Sequence, residues 1–130
     1  MDEKDKIIVN LLHDNSRISN TEIAKVLNVS EGTIRKRIRK LSEAGVIKKF
    51  TIETSQPEVD ALVLLKIDSK RYREVLKKIN LKYPEIYEFT GKIDVALRIK
   101  CNSIDELNSM VDEIREIEGI IDTDTLVRLK

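Results

Sequence analysis

The residues of this sequence best suited to chemistry are cationic side chains that cluster near residue 40. Seven Lys and Arg lie between positions 31 and 49, against two acids, which leaves an excess of five positive charges in this stretch. Guanidinium and ammonium groups at this density can neutralise the phosphates of a nucleic-acid backbone. A charged run can equally be a solvated helix face, so the elements that hold these cations must decide between the two interpretations.

Two short helical patterns around a turn would position the cations. Ser19 fits the N-cap of the first helix, and Asn28 fits a left-handed turn residue between the two. Ser30 would cap the second helix, and Gly45 would follow its end. Two capped helices joined by a tight turn, the second of them basic, are typical of a helix-turn-helix that lays its second helix in the major groove of double-stranded DNA.

The expected DNA contacts fall into two classes. Side chains in the N-terminal part of the second helix can reach base edges: Ser30, Glu31, Gly32, Thr33, Arg35 and Lys36. Those further along should contact phosphates and set the position of the protein: Arg39, Lys40, Lys48 and Lys49. Residues 46–52 alternate loosely and predict a strand after the helix, as in a winged variant of the motif. Arg37 lies at the edge of the apolar stripe and could instead be a salt-bridge partner.

The remaining two thirds of the chain follow the order β-α-β-β-α-β. The patterns predict strands at 61–68, 86–90, 94–101 and 120–129, with helices before residue 84 and before residue 119. This order predicts a ferredoxin-like antiparallel sheet with both helices on one face, and the whole chain is then of the α+β class. We expect a helix-turn-helix domain at 1–52, a linker at 53–60 and the ferredoxin-like domain at 61–130.

The first strand of this second domain is apolar on both faces. Leu62 and Leu64 alternate with the residues expected in the core. A strand that is apolar on both faces is usually buried on both sides. Stacking the bare sheet face on a second copy would achieve this. The sequence therefore predicts a homodimer, which suits a helix-turn-helix that reads two half-sites.

Several classes of function are disfavoured. The chain has one His and one Cys, so no cluster with metal-ligand spacing exists and no metal site or cofactor is expected. It also lacks the G-x-S-x-G, P-loop and G-x-G-x-x-G motifs, and we expect no enzyme. No apolar run approaches a membrane span, the acidic N-terminus has no signal-peptide core, and a lone cysteine fits a reducing compartment. These features predict a cytoplasmic protein that does not associate with membranes.

The chain as a whole resembles the Lrp/AsnC (leucine-responsive and asparagine-synthetase-type) transcriptional regulators of bacteria and archaea, and we expect an archaeal member. The resemblance rests on I-A-K-V-L-N-V-S-E-G-T-I-R-K-R-I-R-K-L-x-x-x-G-V-I at 23–47, T-G-K-I-D at 90–94 and G-I-I-D-T-D-T-L-V at 119–127. It implies an N-terminal DNA reader and a C-terminal domain that oligomerises, commonly to octamers, and senses a small effector, usually an amino acid. The chain departs from the family between residues 52 and 61, where it lacks a glycine-containing extension.

The resemblance also implies an effector site near the turn between the second and third strands. The positions that match the family are Thr90, Gly91, Asp94, Thr123 and Thr125. Asp94 could accept the ammonium group of an amino acid, while turn amides or threonine hydroxyls could donate to its carboxylate. Alternatively, Gly91 merely makes a turn, Asp94 merely begins a strand, and the threonines are ordinary strand residues.

Three functions remain open from the sequence. The first is a sequence-specific regulator gated by an amino acid. The second is an architectural, nucleoid-type DNA-binding protein without an effector. The third is a metabolite-binding protein that does not touch DNA.

Overall fold

A computed structural model describes residues 1–55 and 58–130 of the chain. Gln56 and Pro57, which belong to the predicted linker, lie outside the described residues. The chain divides into two compact units, residues 1–53 and 54–130. The first strand of the second unit begins at Val59, inside the segment 53–60 that the sequence indicated as a linker.

The first unit is built from three helices, α1 (Glu3–Asp14), α2 (Asn20–Leu27) and α3 (Glu31–Glu43). The predicted caps form: Ser19 accepts a hydrogen bond from the amide of Glu22 at 3.1 Å, and Ser30 accepts one from Thr33 at 3.2 Å. Asn28 ends α2 in the left-handed region at φ 53°, which Asn tolerates better than most residues. A core from all three helices holds the motif together: Ile8, Ile23, Ala24, Ile34 and Leu41.

The strand predicted at 46–52 is wrong, because these residues carry no strand. A strand needs a neighbour to satisfy its backbone groups, and no strand occurs among residues 1–53 that could provide one. The segment is held by other bonds instead. The amides of Val46 and Ile47 donate to the carbonyl of Leu41 at 2.9 and 3.1 Å, and the hydroxyl of Ser16 donates to the carbonyl of Thr51 at 3.1 Å.

The second unit has the predicted β-α-β-β-α-β order. Its elements are β1 (Val59–Ile67), a 3-10 turn (Ser69–Arg71), α4 (Tyr72–Lys82), β2 (Ile86–Glu88), β3 (Val95–Cys101), α5 (Ile104–Arg115) and β4 (Ile120–Val127). The four strands form an antiparallel sheet in the order β2-β3-β1-β4. Strand β2 is shorter than predicted and ends at Glu88. The amide of Phe89 still donates to the carbonyl of Asp94 at 2.9 Å, which continues the register of the ladder into the turn.

The two faces of the sheet differ in what covers them. Val63 and Leu65 of β1 are fully buried in a core shared with both helices, α4 and α5. Residues that alternate with these point to the opposite face, which we call the outer face. Leu62, Tyr87 and Leu126 remain 39%, 50% and 48% exposed there. The predicted bare apolar face is therefore present. Among the described residues, no helix is both long and apolar enough to cross a membrane.

Candidate nucleic-acid interface and effector site

Helix α3 separates an apolar stripe from a cationic face. Ile34 and Leu41 are buried in the core of the first unit, and Ile38 packs against it. The predicted cations Arg35, Lys36, Arg39 and Lys40 are all exposed on the remaining surface of the helix. Burial of the stripe therefore fixes the rotation of α3 about its axis and presents these four side chains to solvent. Such a face can meet the phosphates and base edges of a DNA groove.

The first turn of α3 already holds several predicted base readers in defined positions. The hydroxyls of Ser30 and Thr33 bond to each other at 2.8 Å. The Nη1 atom of Arg35 lies 3.0 Å from Oε2 of Glu31, one helical turn earlier. A Cβ built at Gly32 would lie 3.6 Å from Nη2 of Arg35, an ordinary contact, so packing in this unit does not require a glycine at that position. The turn thus presents a paired acid and base beside a residue without a side chain.

Arg37 proves to be a salt-bridge residue. Its Nη1 lies 2.8 Å from Oδ2 of Asp2 and 3.1 Å from Oδ1 of Asp5, and its side chain is only 27% exposed. The two carboxylates also form the capping box of α1. The hydrogen bond from Arg37, followed by that from the amide of Asp5, lowers the pKa of Asp2 to about 2. Arg37 therefore ties the start of α1 to the middle of α3 and leaves the cationic face to its neighbours.

Lys48 and Lys49 lie in the segment that follows α3, and both are exposed. The bonds from Val46 and Ile47 back to Leu41 hold the start of this segment against the end of α3. The two lysines thus add positive charge to the same unit as the helix, although not on the strand that the sequence indicated.

The turn between β2 and β3 contains the predicted effector residues Thr90, Gly91 and Asp94. Gly91 has φ 113°, a conformation that L side chains rarely adopt, so the turn itself requires this glycine. The Oδ2 atom of Asp94 accepts a hydrogen bond from the amide of Ile67 at 2.8 Å and lies 3.8 Å from Nζ of Lys66. One carboxylate oxygen of Asp94 therefore already holds the end of β1. Thr90 is exposed in the same turn.

Thr123 and Thr125 lie on β4, opposite Leu65 and Val63 of β1. Paired residues of an antiparallel ladder point to the same face, so both threonines face the helices. The hydroxyl of Thr123 accepts a hydrogen bond from Nε of Arg115 on α5 at 2.9 Å. The carboxylate of Asp94 instead lies beside Lys66, on the outer face and on the far side of β1. One subunit therefore does not bring the five predicted residues into one cavity.

A polar cluster that the sequence did not indicate lies beside the turn. The hydroxyl of Tyr72, at the start of α4, donates to Oε1 of Glu88 at 2.8 Å. Burial, followed by this bond, raises the pKa of Tyr72 to about 12, so the hydroxyl keeps its proton. The residue that could have indicated this cluster is Glu88. It pairs with the buried Val95, so its carboxylate stands at a position that faces the helices. The described residues contain no group of three or more side chains that could hold a metal ion.

Comparisons with known proteins agree with both halves of this arrangement. Residues 1–48 match the family described as winged helix-turn-helix DNA-binding, and residues 60–130 match the Lrp/AsnC ligand binding domain. The HTH-type transcriptional regulator FL11 of Pyrococcus furiosus is 38% identical over 138 residues, covering 100% of this chain and 90% of that protein. The HTH-type transcriptional regulator LysM of Saccharolobus solfataricus is 37% identical over 134 residues, covering 100% and 94%.

A solved structure also has this fold along the full chain. The structure of AsnC from E. coli superposes with a TM-score of 0.79 at 30% identity, covering 100% of this chain and 93% of that one. These relatives are transcriptional regulators and not enzymes. The proteins of Pyrococcus furiosus and Saccharolobus solfataricus among them are archaeal. The chain belongs to the Lrp/AsnC family of DNA-binding transcriptional regulators.

Proposed function

We infer that this protein is a sequence-specific, dimeric transcriptional regulator of the cytoplasm whose C-terminal domain senses an amino acid. The observation that carries the first part is the exposed cationic face of α3, which begins at a capped turn with a paired Glu31 and Arg35. A carboxylate can accept from cytosine, and a guanidinium can donate to guanine. A sequence-specific reader could use both members of this pair, whereas a surface that only neutralised phosphates would use the cations alone.

The amino-acid effector is supported by the chemistry of the turn and of β4. Asp94 offers a carboxylate for an ammonium group, while Thr90 and the amides of the turn offer donors for a carboxylate. Thr123 and Thr125 face the other side of the sheet, so a ligand that uses both sets must bind where two subunits meet. A site of this kind couples effector binding to assembly, because the ligand stabilises the contact that it bridges.

The dimer is supported by the outer face of the sheet. Leu62, Tyr87 and Leu126 leave an apolar surface there, with a groove of about 470 Å³ beside it. Covering it with a second copy would remove this area from water and would bring together two helix-turn-helix units.

Thermal melting with each of the twenty amino acids tests the effector directly. A true effector raises the melting temperature by mass action, by an amount that grows with its concentration. DNA binding is measured in parallel, with a selected duplex and a scrambled duplex of the same length. The architectural alternative predicts equal affinity for both duplexes and no shift with any amino acid. A protein that does not bind DNA would show no affinity that falls with salt.

A further inference from the structure

Helix α4 and the turn before it carry an exposed face of positive charge. Val75 and Ile79 are fully buried in the core of the second unit, so the opposite side of the helix points to solvent. Four exposed cations lie on or beside that side, and we call them the basic face of α4: Lys70, Arg73, Lys77 and Lys78. The second unit as a whole has 13 cations and 15 acids, a net charge of −2, so this positive charge is local.

The basic face differs from most cations of this unit because its members have no ionic partner among the described residues. Seven of the 13 cations form an ion pair with a carboxylate. The acids nearest to the face are already engaged: Glu74 lies 3.5 Å from Nη1 of Arg71, and Glu113 pairs with Lys82. Four of the six remaining cations form the basic face of α4, so its charge is available to a partner.

Folding alone does not favour cations at these positions. Arg73 and Lys77 are four residues apart on α4, and like charges at this spacing destabilise a helix. Lys70 and Arg73 lie at the N-terminal end of α4, where the helix dipole disfavours positive charge. Residues that oppose the local rules of folding are expected where a protein meets a partner, and here the partner must be negatively charged.

A second copy of the chain offers one negatively charged surface, the neighbouring helix α5. Its exposed side includes Asp105, Asp112 and Glu116. A protein contact, however, needs an apolar centre, and lysines and acids are depleted from such centres. Leu81, 89% exposed, is the one large apolar side chain exposed on α4. Exposed ion pairs alone contribute little, so the composition of the basic face does not suit a second copy.

The phosphate backbone of double-stranded DNA fits the basic face better. Interfaces with DNA are polar and positively charged, and lysine and arginine bind phosphates without an apolar centre. Arg73 and Lys77 are about 6 Å apart along the helix axis, because each residue advances the helix by about 1.5 Å. A duplex carries one charge per about 1.7 Å of its axis, so each cation can meet its own phosphate.

We propose that the basic face of α4 is a second, sequence-independent contact surface for the phosphate backbone of double-stranded DNA. This role rests on the DNA binding of the proposed function and adds a contact by the C-terminal unit. Both units belong to one chain, so DNA held by α3 is available to α4 at a high effective concentration. The basic face raises the affinity for DNA of any sequence and leaves the choice of sequence to α3.

Neutralising two cations of the basic face tests this role in the full-length protein. The variant is Arg73→Gln/Lys77→Gln, and fluorescence anisotropy measures its affinity at several salt concentrations. The selected and the scrambled duplex both extend beyond the site that α3 reads. The slope of log affinity against log salt should fall by about 1.8 for each protomer whose α4 contacts DNA, at about 0.9 per phosphate contact. Affinity near ~0.1 M salt should fall roughly tenfold or more, by the same factor on both duplexes.

A matched control separates this effect from net charge. The variant Lys92→Gln/Lys130→Gln removes the same charge from the other two exposed cations of the second unit that form no ion pair among the described residues. It should bind both duplexes like the wild type, with the same salt slope. Circular dichroism and melting temperatures establish folding, and the α4 variant should melt no lower than the wild type, because a like-charge pair is removed. If it unfolds, Arg73→Ala/Lys77→Ala replaces it, since alanine favours a helix.

The outcomes distinguish this role from the proposed function. A wild type without salt-dependent affinity for any duplex would overturn DNA binding altogether, and the role of α4 with it. A wild type that binds DNA, together with an α4 variant that keeps the wild-type slope or a control that loses as much, would overturn the role of α4 alone. A loss confined to the selected duplex would overturn it equally, because the contact would then read sequence. Weaker self-association of the α4 variant without DNA, measured by sedimentation equilibrium, would assign the basic face to a second copy instead.

Discussion

Arg35 and Lys48 should contribute to DNA binding in different ways, and replacing each by alanine separates the two roles. Arg35 lies in the N-terminal part of α3, one turn after Glu31, where a side chain can reach a base edge, whereas Lys48 follows the end of α3. A guanidinium bonded to a base contributes about 1–3 kcal/mol of discrimination. Arg35 must first leave or share its exposed pair with Glu31, at 3.0 Å, a cost of about 0.3–0.5 kcal/mol.

The expected loss for Arg35→Ala on the preferred duplex is therefore about 0.5–2.5 kcal/mol, or roughly 2- to 60-fold in affinity. On a duplex in which the contacted base pair is changed, the same substitution should reduce the binding affinity much less. Lys48→Ala should weaken binding to both duplexes alike and reduce the slope of log affinity against log salt by about one.

Fluorescence anisotropy with the selected duplex and its single-base variants, at several salt concentrations, measures all of these quantities. Melting temperatures of the free proteins serve as the control for folding, because neither side chain is buried. Equal losses on every duplex for both variants would refute the division into base-reading and phosphate-contacting residues.

Three further predictions concern the framework that holds the site. Asn28→Ala should lower the unfolding free energy by about 1–2 kcal/mol, because the backbone of residue 28 is in the left-handed region. Asn28→Gly should lower it less, because glycine adopts this conformation readily. Equal losses for the two variants in urea unfolding would contradict this. Tyr83→Phe should leave stability unchanged or raise it by about 1 kcal/mol, because the described residues offer its buried hydroxyl no hydrogen-bond partner. A clear loss in urea unfolding would reveal such a partner. The pKa of Asp2 is lowered from 3.8 to about 2 by Arg37, so its contribution to stability is complete above pH 3.8 and lost towards pH 2. The wild type and Asp2→Asn should therefore differ in urea midpoint above pH 3.8 and converge towards pH 2; a constant difference would contradict the ion pair.

The parts of the fold that could be predicted from the sequence are those with a local signal. Ser19 and Ser30 each cap a helix as expected, and Asn28 adopts the turn conformation that its side chain tolerates. Alternation in β1 revealed a sheet that is apolar on both faces. Each of these features depends on residues within a few positions of one another.

The parts that could not be predicted depend on distant partners. Residues 46–52 have strand-like alternation, but the unit that contains them has no neighbouring strand. In the sequence, Arg37 cannot be distinguished from the other cations of the run. Its guanidinium bonds to Asp2 and Asp5, which lie more than 30 positions away. The hydrogen bond between Tyr72 and Glu88 likewise joins two elements. The packing of the folded unit brings Tyr72 and Glu88 together, and no local sequence pattern indicates that they pair.

Selection of bound sequences from a random DNA pool tests the central claim, a paired and sequence-specific reader, most directly. The selection is run with and without the amino acid that most raises the melting temperature. A paired reader should select a motif with two-fold symmetry, its half-sites separated by about 10–10.5 base pairs or a multiple of this spacing, with enrichment that changes with the amino acid. Recovery of a pool without any motif, or of a single half-site that ignores every amino acid, would contradict it.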